Sequence, residues 1–170
     1  MKKGCRQTIY ADYKMYKRTS PTCINIIKLM IENRGFNYTL WLRLLQFRHF
    51  VILSILMHRV FSTLYGIQIS SKTQIGKGFK IVHAISIVIH KQAVIGDYCC
   101  IHQNCTIGIE HGKVPKIGDH VMIGANACVL GGVEIGSDVK IGAGAIVLHN
   151  VPDNSIAVGV PARVIKNGKE

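Results

Sequence analysis

Within the stretch Ile117–Pro161 an aliphatic residue opens six successive six-residue blocks: Ile117, Ile123, Val129, Ile135, Ile141 and Val147. The blocks read IGDHVM, IGANAC, VLGGVE, IGSDVK, IGAGAI and VLHNVP, and glycine follows four of the openers. The fifth place of each block holds Val121, Ala127, Val133, Val139, Ala145 and Val151, all small or β-branched. A helix would repeat at 3.6 residues and an ordinary strand at 2. A period of six instead predicts a parallel β-helix, in which each block gives a short strand and a turn. Three blocks then close one triangular coil, so Ile117 stacks under Ile135, Ile123 under Ile141 and Val129 under Val147. Glycines and small residues permit the sharp corners.

The same period runs back to Gly66 with two irregularities. Openers fall at Ile69, Ile75, Ile81 and Ile87, then the phase slips by two and resumes at Ile89, Ile95, Ile101 and Ile107. From Ile107 to Ile117 the step is ten, so four extra residues bulge out within IEHGKVPK. A coil can extrude a loop at a corner without losing its stack, and loops on a rigid scaffold are where sites are built.

Before Gly66 the pattern is helical. Residues 6–18 predict one or two helical turns. Ser20-Pro21 is a helix start, leading into Thr22–Asn33 with Gly35 as the terminator. A longer helix is predicted over Tyr38–Tyr65, stopping at Gly66. Its apolar residues lie almost all round, which fits burial against partner subunits. Arg43, Arg48 and Arg59 among Trp41, Leu44, Leu45, Phe47 and Phe50 fit an interfacial membrane helix instead. The division expected is thus a basic α-helical segment, 1–66, and a β-helix domain, 67–170, in a mainly β chain.

Charge separates the two parts. Residues 1–66 carry eleven Lys/Arg against two acids, and residues 67–170 carry ten against seven, within a total of +12. The basic segment suits an anionic membrane surface or phosphates; a solvated basic face reads equally well. No nucleic-acid motif or aromatic stacking pattern accompanies the charge, so no nucleic-acid partner is expected. Six cysteines include no CxxC pair; Cys99 and Cys105 take fifth places and read as buried, reduced packing residues, and no metal site is expected. After Met1-Lys2-Lys3 no apolar core follows, and the apolar run Phe50–Leu53 is too short to span a bilayer. The expected location is cytoplasmic, with peripheral contact at the inner face of the membrane through 38–65 as a further option.

Among eight histidines, His83 stands out because it sits just before the phase slip, in KIVHAISIVIH. Correcting for the slip, it stacks near Gln103 of the next coil, on the face from which the 107–117 bulge grows. Spacing alone leaves it either a structural residue or a base.

The repeat resembles the hexapeptide-repeat acyltransferases, and GVPARVIKN at 159–167 is similar to the end of their catalytic helix. Over about a hundred residues, 67–167, the chain resembles the serine acetyltransferase branch. The similarity is carried by IGKGFKIVHAISIVI, AVIGDYCCIHQNCTIG, PKIGDHVMIGANACVLGGVEIG and KIGAGAIVLHNVPDNSIAVGVPARVI. The resemblance implies a left-handed coil, a homotrimer, acetyl-CoA as co-substrate and His83 as the general base that takes the acceptor's hydroxyl proton. It further implies that Ala125 and Ala143 face the pantetheine arm. Arg163 and Lys166, one turn apart after the coil ends, would meet the CoA phosphates, with His149 where a lysine is usual. Gln68 stands at the place of the carboxylate that orients the imidazole, and His111 and Lys113 lie on the acceptor loop.

Two further departures bear on the acceptor. Val82 precedes His83 where the branch has an aspartate, and Lys113-Val114 precede Pro115 where it has Arg-His. Serine needs an anion for its ammonium and a cation for its carboxylate, and burying either unpaired costs several kcal/mol. The residues therefore favour a saccharide hydroxyl, as in cell-surface polysaccharide synthesis; serine is the alternative, and a non-catalytic assembly module the second alternative.

Overall fold

The computed structural model describes residues 3–166. Among these residues four helices precede fifteen short strands, all but the last winding as a left-handed parallel β-helix with three faces. One face has five strands, one four and one six. The predicted stacks form: Ile117 pairs with Ile135, Ile123 with Ile141 and Val129 with Val147. Openers and fifth-place residues point inward together, so the core is a set of aliphatic columns such as Ile81, Ile101, Ile123 and Ile141. Cys99 and Cys105 are buried among them, and their thiols donate to the carbonyls of Gly118 and Gly124 at 3.1 and 3.0 Å. Burial pushes both thiols up, Cys99 to about 11, which keeps them protonated and inert.

The two irregularities appear as coil lengths. Ile69 pairs with Ile89, Ile75 with Ile95 and Ile81 with Ile101, each 20 residues on. The next coil is 22 residues where it contains the 108–115 loop, as in Ile95 with Ile117. Ile87 is not an opener: it precedes Ile89 by two and is a fifth-place residue, fully buried. The slip thus falls wholly in the corner 82–86.

The helices differ from the sequence expectation in informative ways. The first, α1, spans Lys3–Lys14, and α2 spans Cys23–Glu32 with Thr22, not Ser20, as the N-cap accepting from the Asn25 N–H. Gly35 terminates nothing: it lies in α3, Arg34–Gln46, capped by Asn33. A Cβ there would sit 2.0 Å from the Ile81 carbonyl oxygen, so the glycine is needed for helix-to-coil approach. The long helix over Tyr38–Tyr65 is two helices, α3 and α4 (Val51–Tyr65), broken where Arg48 and Phe50 take left-handed backbone. The break explains the all-round apolarity. Leu42 of α3 packs on the coil, while Ile52, Leu56 and Leu64 of α4 are exposed. Gly66 caps α4 in the left-handed region, as its position suggested.

Arg43 does not belong to an interfacial face. It is buried, ion-paired to Asp12 of α1 at 2.8 Å, and donates to the carbonyls of Ile75 and Gly76. Its neighbours share one task, because the first coil leaves an open strand edge that would otherwise lack partners. Asp12 accepts from the Phe79 N–H, and Gln46 donates to the Thr73 carbonyl. The Tyr16 hydroxyl accepts from the Ile81 N–H and donates to the Ile81 carbonyl. The N-terminal helices are the cap of the coil. At the far end an antiparallel hairpin, Ser155–Val158 with Arg163–Lys166, closes the six-stranded face.

Candidate active site

One edge of the prism carries the candidate chemistry. The inward column Ile81, Ile101, Ile123, Ile141 ends the strands of the six-stranded face, and the chain turns immediately after each. One residue on, the row is Val82, His102, Gly124 and Gly142. Backbone bonds of 2.8–3.0 Å tie these to Ile101, Ile123, Ile141 and Ala157 respectively. Two residues on, the same register gives His83, Gln103, Ala125 and Ala143. The row continues into left-handed corners at Asn104, Asn126 and Gly144. His83 and the two alanines therefore share one edge. With neighbouring strands about 4.8 Å apart, Ala143 lies three coils, roughly 14 Å, from His83.

The slip gives His83 its exposure. A regular corner would continue directly into the five-stranded face; here residues 82–86 make a wider turn. The Ile85 N–H donates to the His83 carbonyl at 2.9 Å, and Ser86 adopts left-handed backbone with its N–H on the Tyr65 carbonyl. His83 stands exposed on that turn, directly after the strand edge that Tyr16 caps. Its nearest ring is His102, 6.3 Å between centroids and inclined by 60°. Burial, then the charges of His83 and Lys80, push the His102 imidazole down from its ordinary value. Sequence reasoning placed Gln103 beside His83 and passed over His102. Shifting the blocks by the two-residue slip puts His102 opposite Val82, so the signal was present. Gln103 is half-buried, and its Oε1 is enclosed without a hydrogen-bond partner.

Tight packing above the pair comes from small residues. A Cβ on Gly124 would lie 2.6 Å from the Ala143 nitrogen, and the Gly144 N–H donates to the Ala125 carbonyl at 2.8 Å. Ala125 is half-buried and Ala143 exposed, so an extended chain can run close to the backbone here.

The acceptor-loop residues gather elsewhere. Glu110 and Lys113 exchange backbone hydrogen bonds of 3.0 Å around His111 and Gly112, both left-handed, the geometry of a tight two-residue hairpin. His111, Lys113 and His149 line one cleft of roughly 470 Å³. This loop leaves the opposite end of the five-stranded face from His83, between Thr106–Gly108 and Lys116–Ile117. His83 and the loop share that face, as the register suggested, but they stand at opposite corners of it. A larger cleft around Lys116, Glu134 and Asp153 has no histidine in its lining and holds an ion pair of 3.2 Å.

Gln68 begins the first strand of the coil, pairs with Val88 and lines a cleft with His58, Arg59, His90 and Lys91. Val82 is half-buried beside His83. Arg163 is exposed at the start of the closing strand, and Lys166 ends it. They are not a helical turn apart, since positions three apart in a strand take opposite phases.

The bacterial transferase hexapeptide (six repeats) family model matches residues 115–149. The chain is 36% identical over 167 residues to serine acetyltransferase of Synechococcus elongatus, covering 94% of this chain and 68% of that protein. It spans about half the length of the plant relatives it matches. Among solved structures, the serine acetyltransferase of Neisseria gonorrhoeae in complex with serine superposes with a TM-score of 0.80 at 31% identity. That match covers 96% of this chain and 70% of that one. A serine acetyltransferase complex with CoA gives a TM-score of 0.79 at 28% identity, covering 96% and 70%.

Proposed function

Because the chain belongs to the serine acetyltransferase family of hexapeptide-repeat acyltransferases, an acetyl-CoA-dependent group of enzymes, we propose that His83 is its general base and L-serine its acceptor. The observation that carries the reading is the shared edge of His83, Ala125 and Ala143. The pantetheine arm of acetyl-CoA lies along the alanines, which brings the thioester toward the imidazole. The imidazole takes the acceptor's hydroxyl proton as the oxygen attacks the thioester carbon. Backbone N–H groups of the corner hold the oxyanion. The tetrahedral adduct then collapses, CoA thiolate leaves, and the imidazolium returns the proton to it.

Other assignments belong to the same proposal. Gln68 fixes the imidazole's tautomer through its carbonyl. Arg163, Lys166 and His149 meet the phosphates of CoA. Residues 1–66 cap a catalytic coil formed by 67–170. The loop bearing His111 and Lys113 completes the site of a neighbouring subunit in a homotrimer, since it stands at a different corner from His83. A monomeric mass in sedimentation with full activity would exclude that assembly. No helix among the described residues is long and apolar enough to cross a membrane. The exposed apolar residues of α4 support peripheral contact with anionic lipid, which vesicle co-sedimentation tests.

The relatives thus reverse the order of acceptors read from the residues, and a saccharide hydroxyl becomes the second reading. It is favoured by Val82 and Val114, where a serine-selective site is expected to carry charge. CoA release over a panel of L-serine and common sugars decides. Turnover of L-serine with a Michaelis constant in the millimolar range or below supports the first reading; sugar turnover without serine turnover rejects it.

A further inference from the structure

We propose that His102 is an acceptor-specificity residue: its imidazole binds a second polar group of the acceptor, two carbons from the hydroxyl that His83 deprotonates. The inference rests on the reading of His83 as base. Three observations carry it. The His102 ring faces His83 at 6.3 Å between centroids, too far for the rings to bond each other directly. The acceptor's hydroxyl on His83 and a second oxygen or nitrogen on His102, each bonded at about 2.8 Å to its ring, fit between them.

The second observation is the row in which His102 stands. Its neighbours are Val82 below and Gly124 and Gly142 above, so it is the one ionisable side chain there. Gly124 and Gly142 add no side chain to the row above the imidazole, on the side where Ala125 and the acetyl donor are placed. Third, among the described residues no hydrogen bond from another side chain holds this ring, and its residue is half-exposed. A histidine retained for packing would be enclosed or tied down.

The chemistry sets the ligand class. Uncharged at neutral pH, because burial and the charges of His83 and Lys80 disfavour its cation, the imidazole can both donate and accept. It suits a 1,2-amino alcohol, accepting from the ammonium, and equally a vicinal diol, donating to the second hydroxyl. The shared feature is a hydrogen-bonding group beside the reacting hydroxyl, found in L-serine and in sugars.

The experiment compares the full-length chain with His102→Ala and His102→Gln, using acetyl-CoA and two matched acceptor sets. One set is L-serine and 3-hydroxypropionate, which lacks the amine. The other is methyl glucoside and its monodeoxy derivatives. For whichever intact acceptor is turned over, His102→Ala is expected to raise the acceptor KM by about tenfold to a hundredfold, the effect of one lost polar contact. The KM for acetyl-CoA and the rate on the truncated acceptor should stay at wild-type values. His102→Gln, whose amide also donates and accepts, should recover part of the loss. Equal losses on intact and truncated acceptors, an unchanged KM, or turnover of neither set overturn the proposal. Failure of the His83 reading looks different: His83→Ala would then keep its turnover whatever the acceptor.

Discussion

The guanidinium of Arg43 and the carboxylate of Asp12 form an ion pair with both side chains within 2% of full burial, 2.8 Å from Nε to Oδ2. The pair sits between α1, α3 and the first coil, and its spare donors and acceptors meet the Ile75, Gly76 and Phe79 backbone. Removing one partner leaves a buried charge and an uncapped strand edge. Arg43→Met or Asp12→Ala should each cost about 3–5 kcal/mol of stability, read from urea unfolding midpoints. A loss below about 1 kcal/mol, the usual worth of an exposed pair, would show that water reaches the site.

Replacing Gly35 by alanine should destabilise, although glycine-to-alanine in a helix ordinarily gains about 1 kcal/mol. The expected reversal follows from the Ile81 carbonyl, 2.0 Å from where the new Cβ would lie. A higher unfolding midpoint for Gly35→Ala would mean that α3 can draw back from the coil without loss.

Gly35 also marks what the chain's pattern could and could not convey. The coil was legible down to its pairings because each block buries its own opener: Ile117 and Ile135 are close in sequence and share a phase. The slip and the bulge showed as breaks in that phase. Gly35 and Arg43 were misread because their causes are long-range. Gly35 answers to Ile81, and Arg43 to Asp12, Ile75 and Gly76. Neither partner shares a period with the helix. In the site, resemblance singled out His83 and the alanines, while His102 required the coil register.

His58 gives the fold a pH response. Its Nε2 lies 3.0 Å from the Tyr38 hydroxyl, and burial lowers its pKa from the ordinary value. The unfolded chain, with a histidine near 6.5, therefore binds more protons below that pH, so stability falls as pH drops from about 6.5 toward the folded-state value. Unfolding midpoints at pH 7.5 and 5.5 should differ, and His58→Gln should reduce the difference. The same slope in His58→Gln would assign it to other groups.

For the phosphate contacts, Arg163→Ala combined with Lys166→Ala should raise the KM for acetyl-CoA and leave the unfolding midpoint in place. The effect should shrink at high salt, because exposed charges are screened. An equal loss with a short acetyl thioester that has no nucleotide would contradict the assignment.

The most direct measurement for the central claim is turnover of His83→Ala beside acetyl-CoA binding by the same protein. The imidazole is assigned to the acceptor hydroxyl, while the acetyl donor is held along Ala125 and Ala143. Turnover should therefore fall by about a hundredfold to ten-thousandfold, the usual contribution of a general base. The dissociation constant for acetyl-CoA, measured by calorimetry, should stay within about twofold of wild type. Near-normal turnover in His83→Ala would contradict the account and make His83 a residue of the turn alone.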